Sequence, residues 1–463
     1  MTTLDDVSGL TSERFRRMSP GNQEKLPPVD TTGLPPGPRW PVLVQTSALL
    51  RFRHRFHPYL RRKYGDVFTI RLAPGGRPLV MFTRPEHAKE IFAGDPEVFH
   101  AGKANGILGP IMGEHSLLLQ DGSEHKRARK LLMPAFNGHA LREYQSLVTE
   151  VARAEVATWR DGEEFRSLDR MNRLTLEVIL RVVFGVTDEE RLAKLRPRVN
   201  ETVNISPIVL LGWAYSWLQK YGPWKATVDN QRELDRLMYA EIRERRTAPD
   251  LHERTDVLSR LIVQGEDGDQ LSDVELRDQL VTLLLAGHET TATALAWALY
   301  EAGRDPELLA RCRKAATEGD DEFLEALMKE SMRLHPVIPM VVRTLMEPAT
   351  IGGYHLPRGT TVGPSIIIAH QREDNHPDPW TFKPERFLNH HGGPQQPASN
   401  TWIPFGGGVR RCIGAGFAQM EGVAVLREVF AAYDVTAVGT DEPKVRNITS
   451  VPRRGARIRV TAR

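Results

Sequence analysis

A mostly helical fold with a small, segregated β region is what this 463-residue chain predicts. Three observations carry that prediction. From about residue 85 to 335 the apolar residues recur mainly at helical spacing. Strand-like, turn-punctuated stretches are confined to the flanks, near 67–83 and 344–367. One long apolar helix, opening at Ser272 and closing at Gly303, runs too far to sit on a surface.

Taken in order, residues 1–33 are polar and poor in aromatics and read as a flexible N-terminal tail. LPPGPRWP (34–41) stiffens the entry to a single folded domain over 34–463. A helix follows at about 46–63. VFTIRL (67–72) and PLVMFT (78–83) are strands joined by the turn APGGR. LTLEVILRVVFGV (174–186) is apolar nearly all round, as a buried helix is. TLMEPATIGGYHLPRGTTVGPSII (344–367) alternates short strands with glycine turns, and a proline-rich stretch (376–388) precedes the last helix at about 415–432.

Composition excludes several classes. Hydrophobic residues at 40% and charged residues at 26% are those of an ordinary globular protein. A net charge of +3 without a concentrated, aromatic-laced basic face argues against nucleic-acid binding. No run approaches the ~18 apolar residues of a transmembrane anchor, and the N-terminus lacks a signal-type apolar core, so a cytoplasmic location is expected. The basic clusters Arg51–Arg55 and Arg61–Lys63 flank apolar residues and read as a solvated helix face rather than a membrane-surface helix. Two cysteines, Cys312 and Cys412, are too few for a disulfide framework. Cys312 lies in a helical, partly charged segment and reads as structural.

The central helix has a capping box, Ser272 with Glu275 three residues on. Roughly 30 residues give it a length of about 45 Å. Its middle carries His288, Glu289, Thr290 and Thr291, poor core residues. Ala286 and Thr290 share a face, and Gly287 removes bulk beside them. A notch with an acid and an alcohol suits a ligand lying against the helix, and a solvated kink is the blander alternative. The H-E-x-x-H zinc pattern fails because position 292 is alanine.

IPFGGGVRRCIGAGFAQMEG carries the strongest signal. Glycines 406–408 allow close approach and positive φ. Cys412 then precedes a helix, where the dipole together with Arg410 and Arg411 favours a thiolate. Neither nucleotide-loop pattern is satisfied, since position 411 is arginine and no lysine follows. Local chemistry alone leaves a metal ligand, a nucleophile and a redox thiol open.

Phe405, Gly408, Arg410, Cys412 and Gly414 match every fixed position of F-x-x-G-x-R-x-C-x-G, and by these residues the chain resembles the cytochrome P-450 family. Glu330 and Arg333 match the family's E-x-x-R pair and Arg386, in PERF, the arginine that completes that network. AGHETT (286–291) matches the oxygen-binding groove, and His125 with Arg129 resembles the propionate-binding pair. The resemblance spans roughly residues 35–460.

The resemblance implies a P-450 fold, with haem b (iron protoporphyrin IX) between the long central helix and the cysteine loop, and Cys412 as axial ligand to the iron. It implies a monooxygenase that inserts one oxygen atom of O2 into an apolar organic substrate. Glu289 and Thr290 would relay protons, and His125, Arg129, Arg343 and Arg410 would pair with propionates. Glu330, Arg333 and Arg386 would form a buried structural network. Electrons derived from NAD(P)H would come through a ferredoxin or flavodoxin with its reductase, because no flavin or iron–sulfur module is present. Arg410, Arg411 and Arg427 are candidates to steer an acidic partner. In this family the segments near 100–120 and 203–225 line the pocket; here both are apolar. Val337, Ile338, Val341 and Val342 are further candidate substrate contacts. Rival readings are a peroxide-driven or isomerising haem-thiolate enzyme, a non-catalytic haem-based ligand sensor, and a cysteine-nucleophile hydrolase.

Overall fold

The computed structural model describes residues 4–18, 28–185, 188–203, 205, 209, 216–264 and 268–463. The central helix runs Asp273–Ala302, and its capping box is reciprocal. The Glu275 amide donates to Ser272 Oγ at 3.2 Å, and the Ser272 amide donates to the Glu275 carboxylate at 2.8 Å. From Leu280 to Ala302 the helix is buried except at Leu285, Ala286, Gly287 and Thr290.

The chain divides into two compact units built from interleaved stretches. One comprises Met1–Leu26, His100–Tyr144 and Leu176–Glu289, and the other Pro27–Phe99, Gln145–Thr175 and Thr290–Arg463.

Within the first unit, Leu4–Met18 is a helix, so a flexible tail over the whole of 1–33 is not what the chain adopts. The physical reason is a narrow stripe, Val7, Thr11 and Phe15, spaced four apart and buried. The stripe is too thin to register as amphipathic in a polar sequence. Its anchor is long-range: Thr11 Oγ1 and Arg14 Nη1 donate to Asp235 at 2.6 and 2.8 Å. Asp235 lies on the helix Gly222–Arg246 and also accepts from Arg277 at 2.7 Å.

The second unit opens with the helix Val42–Tyr64, which starts earlier than the sequence suggested. Leu49, Phe56 and Leu60 are buried while Leu50 and Phe52 stay exposed. The solvated-face reading fails at Arg53, which is 4% exposed and donates to the Asn447 carbonyl at 2.6 Å. Burial brings its pKa down to about 10. Strands Val67–Leu72, Arg77–Phe82, Thr361–Pro364 and Arg343–Leu345 pair in that spatial order. Alternation serves two cores at once. Val67, Val80 and Phe82 pack with Phe92, Ile366 and Ile403, whereas Phe68, Ile70, Leu79 and Met81 pack with Leu49, Phe56 and Leu60. Both faces of this sheet are therefore covered, which explains why its strands read as continuous apolar runs.

Candidate functional site

The cysteine loop is held from below by a buried ion network. Glu330 and Arg333, one turn apart on the helix Asp321–Leu334, are both fully buried and joined by bonds of 2.6 and 2.8 Å. Arg386 reaches Glu330 at 3.3 Å, and the Lys383 amide donates to it at 2.8 Å. The remaining Arg333 donors go to the carbonyls of His370, Pro379 and Thr381. Each buried charge is thus paired and hydrogen-bonded, the condition under which burial is tolerated. His370 carries the network onward: its Nε2 accepts the Ile403 amide at 2.9 Å. Burial, with His376 and Arg333 nearby, holds this imidazole neutral well below its ordinary pKa, which leaves Nε2 free to accept. Aromatic packing adds a second tie, from Phe387 to Trp402 at 5.5 Å and from Trp402 to Phe405 at 5.9 Å.

Beyond Ile403 the backbone turns through Gly406 and Gly408, both with φ near +65°. A Cβ on Gly407 or Gly408 would overlap the ring or the carbonyl oxygen of Phe92. The glycine run thus admits a close approach to Phe92 at the end of the helix Pro85–Ala93 as well as the left-handed turn. The Cys412 amide donates to the Phe405 carbonyl at 2.9 Å and closes the loop. Gly414 then caps the helix Ala415–Ala432. Cys412 is exposed, in contrast to Cys312, whose thiol is pushed up to about 12 by burial.

Several expected residues are placed with qualification. Ala286 is exposed and Thr290 half-buried on one face of the central helix, with Glu289 buried at 7%. The bulk removed at Gly287 makes room for Ile179, since a Cβ there would stand 2.9 Å from it. His125 and Arg129 lie one turn apart on the helix Gly122–Leu132, His125 buried. Arg343 is buried at 7% and donates to the Val342 carbonyl at 2.8 Å. Arg410 is half-buried and Arg411 exposed. Arg427 pairs with Asp321, which offsets the charge it could offer an acidic partner. The four valine and isoleucine candidates are distributed over the second unit. Ile338 and Val341 pack against the Phe92–Ile403 cluster, Val342 against the Phe68–Leu79 cluster, and the Val337 carbonyl accepts from Ser450. Extended backbone sends neighbouring side chains to opposite sides. Within 203–225, residues 204, 206–208 and 210–215 lie outside the described residues.

Sequence reasoning missed Glu421. It sits on the helix after Cys412 and is 1% exposed. Burial raises its carboxyl to about 8, and the nearby Thr291 side chain opposes only part of that shift. The signal was present in the sequence: Glu421 interrupts an apolar helix stripe running through Phe417, Ala424 and Val425.

A family model described as Cytochrome P450 matches residues 34–460. The chain belongs to the cytochrome P450 family. It is 52% identical over 434 residues to cytochrome P450 135A1 of Mycobacterium tuberculosis, covering 93% of this chain and 96% of the relative. It is 42% identical over 439 residues to cytochrome P450 135B1 of Mycobacterium bovis, covering 93% and 92%. The solved structure "Retinoic acid bound cyanobacterial CYP120A1" shares the fold at a TM-score of 0.79 and 24% identity, covering 93% of this chain and 99% of that one.

P450 membership makes the chain an oxidoreductase of the monooxygenase type and implies haem. The loop would suit that group, since its glycine turns and an exposed cysteine just ahead of a helix could present a sulfur to a haem iron. Among the described residues no three His, Cys, Asp or Glu side chains cluster to hold a metal ion. Among the described residues no helix is long and apolar enough to cross a membrane.

Proposed function

We propose that this P450 inserts one oxygen atom of O2 into an apolar organic substrate, with haem b ligated by Cys412 and electrons delivered by a separate ferredoxin or flavodoxin system. The observation that carries this reading is Cys412 itself: an exposed cysteine outside any disulfide at the end of a glycine-turned loop, in a chain of this family. When bound, the haem supplies oxygen activation, favoured by electron donation from the thiolate. The chain's own residues bind, orient and move protons. Arg343 and Arg410, with His125 and Arg129, hold the propionates by charge-assisted bonds. Gly408 and Phe405 shape the loop that presents the sulfur. The Thr290 hydroxyl, on the accessible helix face beside Ala286, holds a proton at the reacting centre, and the Glu289 carboxyl resupplies it.

Reduced protein should give the carbon monoxide difference band of thiolate-ligated haem, and Cys412→Ser should lose it. Absence of that band in the wild type rejects the haem-thiolate reading and favours a nucleophilic cysteine. Thr290→Ala should keep reductant consumption while diverting it to peroxide. Coupling that stays intact in this variant refutes the relay.

A further inference from the structure

The C-terminal end of the helix Val42–Tyr64 borders a cavity of about 540 Å³ whose lining belongs wholly to the second unit. Arg61, Arg62, Asp66, Ile368, Gln371 and Trp380 are the lining side chains that give it its chemistry. Its volume is in the range of small-molecule sites. None of these residues has a part in the reaction proposed above.

Trp380 is 68% exposed, an unusual state for a side chain whose burial is so favourable. Its backbone is nevertheless fixed. Arg333 holds the carbonyls on either side, Pro379 at 2.7 Å and Thr381 at 3.3 Å, and Arg386 holds that of Asp378 at 2.7 Å. The indole is thus carried by a rigid stretch, so a ring that stacks on it has little chain to order. Ile368, on the helix Ile366–Gln371, is buried and adds an apolar wall.

The cavity is cationic in spite of Asp66. That carboxylate accepts from Arg61 at 2.9 Å, Arg84 at 2.7 Å, Arg372 at 2.6 Å and Thr83 Oγ1 at 2.9 Å. Burial opposes its ionisation, yet these bonds hold it well below the usual carboxylate range. Arg372 is shared with Asp374. Three guanidiniums therefore face two carboxylates, and the exposed Arg62 has no acidic partner among the described residues. The half-buried Gln371 side-chain amide likewise makes no hydrogen bond among the described residues. One unopposed guanidinium beside an amide donor suits a single carboxylate, which arginine can hold through two parallel bonds.

We propose that this cavity binds a small aromatic carboxylate, with its ring stacked on Trp380 and its anion held by Arg62 and Gln371. The site is independent of the haem-thiolate reading and stands or falls apart from it.

The test is fluorine NMR of the full-length holoenzyme with its eight tryptophans labelled as 5-fluorotryptophan. The Trp380 resonance is the one missing from Trp380→Phe, and it reports this cavity whatever binds elsewhere in the protein. Titration with 2-naphthoate should move it saturably. Arg62→Gln should weaken that binding about tenfold or more, as loss of a charge-assisted bond does, and Arg62→Lys should recover part of the loss. 2-Naphthamide, with the ring but not the charge, should bind about tenfold more weakly. Cyclohexanecarboxylate, with the charge but no flat ring, should bind several-fold more weakly. Arg62 and Trp380 are both exposed, so replacing them leaves the fold in place. A Trp380 resonance that 2-naphthoate leaves unmoved overturns the proposal, as does an unchanged dissociation constant in Arg62→Gln. Inorganic phosphate that competes as well as 2-naphthoate marks an indifferent anion site and overturns the aromatic assignment.

Discussion

Replacing Glu421 by Gln removes a titratable group that burial keeps protonated, and the pH dependence of stability should change in a calculable way. In the unfolded chain this carboxyl titrates at its ordinary 4.5, whereas burial raises it to about 8 in the fold. Below pH 4.5 both states hold the proton and the group adds no pH dependence. Between 4.5 and about 8 only the folded state keeps it, so stability falls as pH rises, and the loss levels off above 8. At about 1.4 kcal/mol per unit the full loss is about 5 kcal/mol, of which about 3 kcal/mol falls between pH 5.5 and 8.5. Glutamine keeps the shape and hydrogen-bonding capacity and does not titrate. Urea unfolding followed by circular dichroism, on both proteins at both pH values, reads the difference directly. Glu421→Gln should gain about 3 kcal/mol on the wild type in going from pH 5.5 to 8.5, since other titrating groups cancel in the comparison. Stability curves that fall in parallel would refute the argument and mean that Glu421 ionises at an ordinary pH.

Arg333→Ala leaves Glu330 buried with only part of its compensation, a cost of about 3–5 kcal/mol, and should yield protein that fails to retain haem, measured as the Soret-to-protein absorbance ratio. Gly408→Ala places a Cβ onto the Phe92 carbonyl at a positive φ and should cost about 1–3 kcal/mol for the backbone alone, read as a lowered melting temperature and weaker haem retention. In protein stripped of haem, iodoacetamide should alkylate Cys412 well before Cys312, whose buried thiol stays protonated to about pH 12; equal rates by mass spectrometry would contradict the burial.

Local signals were legible where sequence neighbours make the structure. The Ser272–Glu275 box, the i, i+3 pair Glu330–Arg333 and the helix beginning at Ala415 all depend on residues a turn apart. The glycines at 406–408 announced a tight backbone, but not that Phe92, more than three hundred residues earlier, is what they approach. Gly287 likewise announced missing bulk without naming Ile179. The helix Leu4–Met18 was invisible because its stability comes from Asp235, a partner no local pattern contains. His370 gave no signal at all, since a buried neutral imidazole that accepts a single amide hydrogen looks like any other histidine in a sequence.

The Glu330 network also orders events during synthesis. On the growing chain Glu330 and Arg333 leave the ribosome together and can pair at once, but Arg386, the Lys383 amide and the Thr381 carbonyl follow some fifty residues later. At about 5–20 residues per second, that is a delay of seconds. Throughout it, two charges destined for full burial have their own turn of helix for company, and the segment gains by remaining hydrated. The network's partners, Arg386 included, all precede Cys412 in the chain, so none of them waits on the loop they support.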